Sequence, residues 1–329
     1  MKILLSGITS FIGAALSKEL LLSGHEVYGL VRADSKNMDR LSAHDNLYLI
    51  QRDMKSVEDM NPKALPKFDV CIHLAWDGIG IAGRMNEEIQ KDNIEVTIKF
   101  IKKCKELGVK RFIFAGSQAE YGQSLEKHIG KKCDELVAEE PVSMYGKAKL
   151  QIAKRAARLC EELGMEYIHL RIFSVYGSSD HETSLVSSCI RYFRSKKKEA
   201  LRLGECEQKW NYMYISDCVK AVKELVQVRE LSERTEKFYK DKVFLAEELY
   251  RKNVINVASE DTRILKEFAL EIADIYGQRE NIEFVRKTPG AEGTPYLDPD
   301  ISKLEALCGF KPDISFKEGV ELIEKLYSL

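Results

Sequence analysis

The chain begins Met1-Lys-Ile-Leu-Leu-Ser6-Gly7-Ile-Thr-Ser10-Phe-Ile-Gly13, and this stretch decides the fold. Residues 2–6 form a short apolar run typical of a strand, and an amphipathic run at 14–23 follows the glycines. A strand, a glycine turn and a helix start allow backbone N–H groups and the helix dipole to bind the pyrophosphate of a dinucleotide. The same glycines are equally consistent with a tight turn that only packs the helix closely against the strand, without binding a dinucleotide. The residues predicted to bind a dinucleotide here are Gly7, Thr9, Ser10, Phe11, Ile12 and Gly13.

The spacing of this turn departs from the usual fingerprint, because Ser10 stands at the middle glycine position. A side chain there crowds the closest approach of the backbone to phosphate, although its hydroxyl could itself donate a hydrogen bond. The motif is therefore weakened but retained.

Strand-like and helix-like segments alternate after the turn. Strands are predicted at 25–31, 47–51, 68–74, 111–117 and 166–171, and helices at 87–107 and 143–163. This alternation predicts a right-handed, doubly wound parallel sheet, which is an α/β fold of the Rossmann type.

Beyond residue 177 the pattern becomes less regular. We expect residues 1–177 to form a dinucleotide-binding domain, and residues 178–329 to form mainly a smaller substrate-binding lobe with some segments returning to the sheet. Short strands are predicted at 201–204, 210–217 and 254–258.

Two charged segments stand out in this second half. Residues 226–251 are charged and helix-prone, which indicates a surface insertion. The cluster Arg194-Ser-Lys-Lys-Lys198 fits a solvated helix end, with a contact to a nucleotide diphosphate as the alternative.

The ends of the second and third strands indicate how a cofactor would be held. Val31 fills the position at which an acidic residue would bind the adenosine ribose diol, and Arg32 follows it. Because guanidinium groups bind phosphate well, Arg32 favours NADP over NAD. Arg32 could instead be a solvated loop residue, with Asp34 taking the diol. After the third strand, Asp53 and Met54 are placed to reach the adenine.

The fourth strand ends His73-Leu-Ala-Trp76, at the edge where ligands bind in open α/β sheets. Leu74 and the small Ala75 would let a flat ring approach the backbone. His73 lies in an apolar run, so we predict a core residue rather than a catalytic one. The next helix carries Asn93, which is also predicted to reach the cofactor.

The stretch Pro141-Val-Ser-Met-Tyr145-Gly-Lys-Ala-Lys149 predicts a proton-transfer site. In a helix, positions 145 and 149 lie one turn apart on one face, so an ammonium can sit beside a phenol. The cation would lower the phenol pKa from its ordinary value of about 10, and Tyr145 could then exchange a proton with a substrate hydroxyl or carbonyl. Alone the motif is weak, and a helix with a partly buried tyrosine and an exposed lysine is the plain alternative. Its position after a strand that ends at Ser117 favours the site.

Composition restricts the class of protein. Of 329 residues, 44% are hydrophobic and 31% are charged, as in soluble globular proteins. A formal net charge of −1 provides no basic field for nucleic acid. We recognise no secretory signal and no stretch of transmembrane length. The eight cysteines are scattered singly without metal spacing, so we expect a reduced cytoplasmic setting and no metal site.

Together these motifs resemble the extended short-chain dehydrogenase/reductases that act on nucleotide sugars, the NAD-dependent epimerase/dehydratase group. The resemblance covers nearly the whole chain. Besides the residues above, it rests on Tyr121-Gly122, Leu170-Arg-Ile-Phe-Ser-Val-Tyr-Gly177, Tyr214-Ile-Ser-Asp217, Asn256-Val-Ala258 and Gly309-Phe-Lys-Pro312.

The resemblance implies a Rossmann domain with a C-terminal sugar-nucleotide lobe, and a hydride that passes between a nicotinamide and a sugar carbon. By this analogy Tyr145 is the acid/base and Ser117 hydrogen-bonds the reacting oxygen. Lys149 holds the nicotinamide ribose and lowers the phenol pKa. Dimers are common in this family, so a homodimer is expected, although no residue demonstrates one.

Departures from the family pattern narrow the activity. Gln118 and Ala119 follow Ser117 where related dehydratases carry a glutamate that moves protons during water loss, so dehydration is disfavoured. Ser174 replaces an asparagine, and Trp210 replaces an arginine near the diphosphate; an aromatic ring there could stack on a base or sugar. The residues predicted to reach substrate are Trp76, Gln118, Ser174 and Trp210.

The sequence thus predicts an NADP- or NAD-dependent nucleotide-sugar oxidoreductase, either a 4-epimerase or a 4-ketoreductase. A dehydratase is one alternative. A regulator that senses NADP with the fold retained and the chemistry lost is another. Such a regulator would have no need for the serine, tyrosine and lysine together.

Overall fold

The computed structural model describes residues 1–195, 199–286 and 296–327. The strands are β1 (Lys2–Ser6), β2 (Glu26–Val31), β3 (Leu47–Gln51), β4 (Val70–His73), β5 (Arg111–Ser117), β6 (Glu166–Ile172), β7 (Ser174–Tyr176), β8 (Leu201–Leu203), β9 (Lys209–Tyr214), β10 (Val254–Val257), β11 (Thr262–Ile264) and β12 (Ile282–Phe284). The helices are α1 (Phe11–Leu22), α2 (Ile81–Arg84), α3 (Glu87–Glu106), α4 (Met144–Glu162), α5 (Leu185–Arg194), α6 (Ile215–Gln227), α7 (Leu231–Phe238), α8 (Leu265–Ile275), α9 (Ser302–Cys308) and α10 (Phe316–Tyr327).

A parallel sheet of seven strands forms the centre of the molecule, in the order β3-β2-β1-β4-β5-β6-β10. The chain winds outward from β1 to β3 and then crosses to β4, so the strand order reverses between β1 and β4. Ser6 pairs with His73 in this register, which places Gly7 and Leu74 at the same edge of the sheet. Ligands bind at such a switch point in open α/β sheets. The predicted Rossmann-type fold is confirmed.

Both faces of the sheet are covered, because alternate side chains of a strand point to opposite faces. Ile3 and Leu5 of β1 belong to the apolar layer that α1 and α6 cover. Leu4 belongs to the opposite layer, which α3 and α4 cover with Phe100 and Ile152. The helices begin close to where the sequence predicts, since Asn86 and Ser143 cap α3 and α4 with their side-chain oxygens.

The second half builds a smaller layer and also returns to the main sheet. Strands β7, β9 and β11 form a three-stranded sheet, and β8 pairs with β12. Phe193, Phe268 and Phe316 of α5, α8 and α10 pack together beside these strands. The predicted strand at 254–258 pairs with β6 in the main sheet. The predicted strand at 210–217 is wrong in its last residues, because α6 begins at Ile215.

The charged segment 226–251 is anchored to the molecule and is more than a surface insertion. It contains α7 and leads into a 3-10 helix at Ala246–Asn253. Its side chains Leu231, Tyr239 and Tyr250 are buried. In the predicted basic cluster, Arg194 pairs with Glu324 at 3.0 Å, and residues 196–198 lie outside the described residues.

Across the described ranges, every helix is too short or too polar to cross a membrane. The same part of the chain contains no group of three or more histidine, cysteine or acidic side chains that could hold a metal ion. All eight cysteines are free thiols, and six of them are buried.

Candidate active site

The glycine turn between β1 and α1 has room for no side chain at its two glycines. Gly7 has a φ of +72°, and a Cβ there would lie 2.7 Å from the backbone nitrogen of Ala75. A Cβ on Gly13 would lie 2.1 Å from the carbonyl oxygen of Gly7. The turn therefore presents bare backbone at the switch point of the sheet, where the first N–H groups of α1 have no partner within the helix. These features fit a dinucleotide pyrophosphate.

Ser10 explains the departure from the glycine fingerprint. Its side-chain oxygen accepts a hydrogen bond of 3.1 Å from the N–H of Gly13, so Ser10 is the N-cap of α1. The hydroxyl thus accepts in this turn, and its proton is left to donate to another group. A serine in this position stabilises the helix start that the fingerprint requires.

A cleft of about 700 Å³ extends from this turn between the ends of β2 and β4 and helix α3. It brings together most of the predicted cofactor residues, namely Gly7, Thr9, Ser10, Arg32, Asp53, Met54, Leu74, Ala75 and Asn93. Phe11 instead lines a separate cleft along α1. Ser35 and Asn37 also line the cleft and were not predicted, because their only signal is the polar character of the loop after β2.

Residues after the end of β2 line one side of this cleft with a guanidinium and hydroxyl groups. The Arg32 guanidinium lies 3.9 Å from the Asp34 carboxylate and 3.8 Å from that of Asp77, which follows β4. The Ser35 hydroxyl donates to the Thr9 hydroxyl at 3.1 Å. Arg32 therefore reaches across the mouth of the cleft, whereas Asp34 lies outside its lining.

The Asp53 carboxylate hydrogen-bonds the backbone of its own loop. Its Oδ1 accepts from the N–H of Lys55 at 2.7 Å, and it caps the 3-10 helix at Met54–Asp59. The loop after β4 is fixed in a similar way, since the Asn93 side chain bonds both the N–H and the carbonyl of Asp77. Both residues shape the cleft through backbone contacts.

His73 is a buried structural residue, as the sequence predicts. Its Nε2 lies 3.1 Å from the Thr97 hydroxyl, which itself donates to the Asn93 carbonyl, so Nε2 is the donor. Its Nδ1 then accepts from Ser6 at 2.6 Å. Burial, with a smaller effect from Lys149, lowers the pKa of His73 to about 3, so the ring is neutral. The neutral ring joins β1, β4 and α3 at the floor of the cleft.

Lys149 is buried rather than exposed, so the plain alternative for this motif is wrong. Its ammonium donates to the Ala115 carbonyl at 2.7 Å and lies 3.8 Å from the centre of the Trp76 ring and 5.5 Å from that of Tyr145. Burial lowers the pKa of Lys149 to about 7, although the Glu120 carboxylate opposes this effect. The lysine is thus held under the phenol ring.

Tyr145 lies at the start of α4, against the turn that follows Ser117. A Cβ on Gly146 would lie 2.4 Å from the carbonyl oxygen of Ala119, so the glycine lets the first turn of α4 pack against residues 118–120. The Ser117 hydroxyl caps that turn by accepting from the N–H of Ala119 at 3.2 Å. The structure therefore brings the tyrosine, the lysine and the serine to one edge of the sheet.

Two side chains from the loop after β4 cover the Tyr145 ring. The Trp76 ring meets it edge to face at 6.3 Å, and the Arg84 guanidinium lies 4.2 Å from its centre. The Trp76 N–H is fixed by Gln90 Oε1 at 2.8 Å. Arg84 was not predicted, because the four-residue helix α2 gives it no local signal in the sequence.

A smaller pocket of about 100 Å³ adjoins this centre. Its lining includes Arg84, Gln118, Ser143 and Trp210. Of the predicted substrate residues, Gln118 and Trp210 therefore meet here, whereas Trp76 lines the larger cleft. Ser174 lies in β7, paired with Tyr212, and is in the lining of neither cavity as far as the structure describes them.

Comparison with known proteins agrees with this architecture. The model of the family described as NAD dependent epimerase/dehydratase matches residues 3–238. An uncharacterised UDP-glucose epimerase of Bacillus subtilis, YtcB, is 26% identical over 97% of this chain and 96% of its own length. A UDP-N-acetyl-alpha-D-glucosaminuronate decarboxylase of Bacillus cytotoxicus is 23% identical over 97% and 95%. The crystal structure of a UDP-glucose 4-epimerase of Thermotoga maritima with UDP-glucose superposes with a TM-score of 0.81 at 22% identity, over 100% of this chain and 99% of the other.

Proposed function

Because the chain belongs to the NAD dependent epimerase/dehydratase family, whose members are enzymes, we propose that it catalyses oxidation and reduction at C4 of a nucleotide-linked sugar, as a 4-epimerase. The observation that carries the proposal is the packing of α4, which carries Tyr145 and Lys149, against the end of β5 and the turn that follows Ser117. Residues 178–329 would contribute mainly to the nucleotide-sugar site. A homodimer and a cytoplasmic location remain predictions.

The chemistry follows from the roles that the three side chains can take. A bound nicotinamide supplies the hydride acceptor and donor. Tyr145 takes the proton of the C4 hydroxyl as the sugar is oxidised, and returns a proton when the 4-keto sugar is reduced on its other face. Ser117 hydrogen-bonds the C4 oxygen. Lys149 favours the phenolate because a nearby cation stabilises the charged form of the phenol.

Loss of water would need a further acid/base, and Gln118 cannot provide one. Its amide follows Ser117 directly and its Oε1 accepts from the Ser117 hydroxyl at 3.2 Å. An amide does not titrate, so it cannot remove a proton from C5 and deliver it to a leaving hydroxyl. This supports epimerisation over dehydration.

A second candidate is a 4-ketoreductase that uses NADP, and Arg32 favours it. Val31 occupies the position at which an NAD-specific site would place an acid, the Arg32 guanidinium follows it at the cleft, and Ser35 and Thr9 add hydroxyl groups to the same lining. A reductase must exchange its cofactor at every turnover, whereas an epimerase retains it. NADP preference would therefore favour the reductase.

The experiment is a screen of UDP-, CDP-, dTDP- and GDP-sugars with each cofactor, with products identified by mass spectrometry and NMR. Stoichiometric NAD(H) in the purified protein and epimer formation support the 4-epimerase. Rapid oxidation of added NADPH by a 4-keto-6-deoxy sugar nucleotide supports the reductase.

Replacement of the acid/base separates both enzymes from a dinucleotide-sensing regulator. We expect Tyr145→Phe to lower kcat by about 100- to 10,000-fold, the usual contribution of a positioned acid/base. Tyr48→Phe, a half-exposed tyrosine on β3, is the matched control and should leave turnover unchanged. Undiminished turnover by Tyr145→Phe would overturn the assignment.

A further inference from the structure

We propose that Glu120 is a positioning residue of the active site, and that a chain of buried ion pairs connects it to Arg251, the last residue of the charged segment 226–251. The inference rests on the proposed function for the reaction that it affects. It assigns a role to a carboxylate that the proposed mechanism does not use.

Glu120 holds the backbone of the catalytic serine. It is fully buried, and its Oε1 accepts from the Ser117 N–H at 2.8 Å and lies 2.8 Å from His169 Nε2. Its Oε2 accepts from Arg171 Nε at 2.9 Å. Burial alone would raise the pKa of Glu120, but His169, Arg171 and the Ser117 N–H lower it to about 2. The carboxylate is therefore charged at neutral pH and fully used as an acceptor.

The strand beside Glu120 is shaped to admit this contact. A Cβ on Gly116 would lie 2.2 Å from His169 Nε2 and 2.6 Å from Glu120 Oε1. A residue with a side chain at 116 would displace either partner, one position before the catalytic serine. The sequence thus carries a glycine where the His169–Glu120 contact needs space.

The ion pairs continue from Glu120 through Arg171 of β6 to the segment that precedes the edge strand β10. Arg171 also pairs with Glu139 at 2.5 Å, and Glu139 pairs with Arg251 at 2.7 Å. The side chains of Arg171, Glu139 and Arg251 are 0%, 2% and 12% exposed. Removing one member leaves a buried charge without its partner, which is strongly unfavourable. The position of Arg251 is therefore coupled to the turn that holds Ser117.

Glu120 also affects the protonation of Lys149. It is the negative charge that raises the pKa of Lys149, against burial and the Arg84 guanidinium. Besides the Ala115 carbonyl and the Trp76 and Phe114 rings, the Tyr145 phenol and the neutral His73 lie near Lys149 in the described part of the chain. Loss of the Glu120 charge should consequently deprotonate Lys149 at a lower pH.

The test compares Glu120→Gln with Glu166→Gln. Glu166 pairs with Arg111 across the same two strands, β5 and β6, but at their opposite ends. In Glu120→Gln, an amide N–H would face the Arg171 guanidinium, so the Ser117 turn must shift. We expect kcat to fall about 10- to 100-fold with KM changed by less than about 3-fold, the scale of a misplaced catalytic group. Glu166→Gln should keep the kcat of the unaltered protein.

A titration of Lys149 by NMR of ¹³C-labelled lysine gives a readout that does not depend on turnover. The midpoint should fall below that of the unaltered protein in Glu120→Gln and stay unchanged in Glu166→Gln. Arg251→Met, which leaves every contact of Ser117 in place, should lower kcat and guards against a Glu120 variant that fails to fold.

The outcomes separate this inference from the proposed function. Equal kcat and an equal Lys149 midpoint in the two glutamine variants, with Tyr145→Phe inactive, would overturn the inference alone. Full turnover by Tyr145→Phe would overturn the proposed function, while the Lys149 midpoint would still decide whether Glu120 controls the lysine. A folded Arg251→Met variant with unchanged kcat would refute the connection to Arg251.

Discussion

Replacement of Arg32 by serine is the perturbation that bears most directly on the choice of cofactor. In the structure the guanidinium stands between Asp34 and Asp77 at 3.9 and 3.8 Å, and all three side chains are more than half exposed. Exposed ion pairs of this kind contribute at most about 1 kcal/mol each. Arg32 can therefore leave its carboxylate partners at small cost when a phosphate enters the cleft.

A 2′-phosphate would form charge-assisted hydrogen bonds with Arg32, worth about 1.5–3 kcal/mol. Subtracting about 0.5 kcal/mol for each of the two lost ion pairs leaves about 0.5–2 kcal/mol, or roughly a 2- to 30-fold change in affinity. We expect Arg32→Ser to weaken the binding of NADP⁺ by this factor and to leave the affinity for NAD⁺ unchanged.

Isothermal titration calorimetry with NADP⁺ and NAD⁺ measures this selectivity. Arg202→Ser is the matched control, because Arg202 forms an exposed pair with Glu283 at 3.4 Å outside the lining of the cleft. Asp77→Asn should strengthen NADP⁺ binding, since it removes a carboxylate that competes for the guanidinium. Equal weakening of both cofactors by Arg32→Ser, or no effect on either, would refute the placement of the 2′-phosphate at Arg32.

Three further predictions test the site and the fold. Gly7→Ala should weaken dinucleotide binding at least about 10-fold in calorimetry, because its Cβ would meet the backbone of Ala75. Gly24→Ala, with a similar positive φ and no atom within 4 Å of the added Cβ, should bind the dinucleotide normally. Equal affinities of the two variants would contradict the packed turn. The value of kcat/KM for the sugar nucleotide should fall as pH rises through about 7, because the ammonium of Lys149 is present below its lowered pKa and lost above it. A flat profile between about pH 6 and 9 would show that this charge is not required. Arg111→Met should lower the free energy of unfolding in urea by about 3 kcal/mol. The Arg111 guanidinium donates to three backbone carbonyls at the end of α6, those of Leu225, Val226 and Val228. A loss below about 1 kcal/mol would mean that water replaces these hydrogen bonds.

The strands of the main sheet were predictable because buried parallel strands form continuous apolar runs bounded by turn residues. Elements of the second half were harder to place. Strand β10 is four residues long, and nothing in Val254–Val257 distinguishes a strand of a lobe from an edge strand of the main sheet. The start of α6 was missed because its first residues continue the apolar pattern of β9.

The site was predictable where neighbours in sequence are neighbours in space. Ser10 and Gly13, or Tyr145 and Lys149, lie within one turn of a helix, so their spacing carries the information. The burial of Lys149 depends on the Trp76 ring, which comes from a distant strand end, and no local pattern reports it. Glu120 did carry a signal, since Ser117-x-x-Glu120 is the pattern of a capping box.

The positions of the two tryptophans make the protein its own optical reporter. Trp76 lines the larger cleft and Trp210 lines the smaller pocket, and the chain has no other tryptophan. The tryptophan fluorescence of a Trp210→Phe variant would come from the larger cleft alone, and that of a Trp76→Phe variant from the smaller pocket alone. Quenching in one variant and not in the other would therefore tell which of the two cavities a given nucleotide enters, without any label.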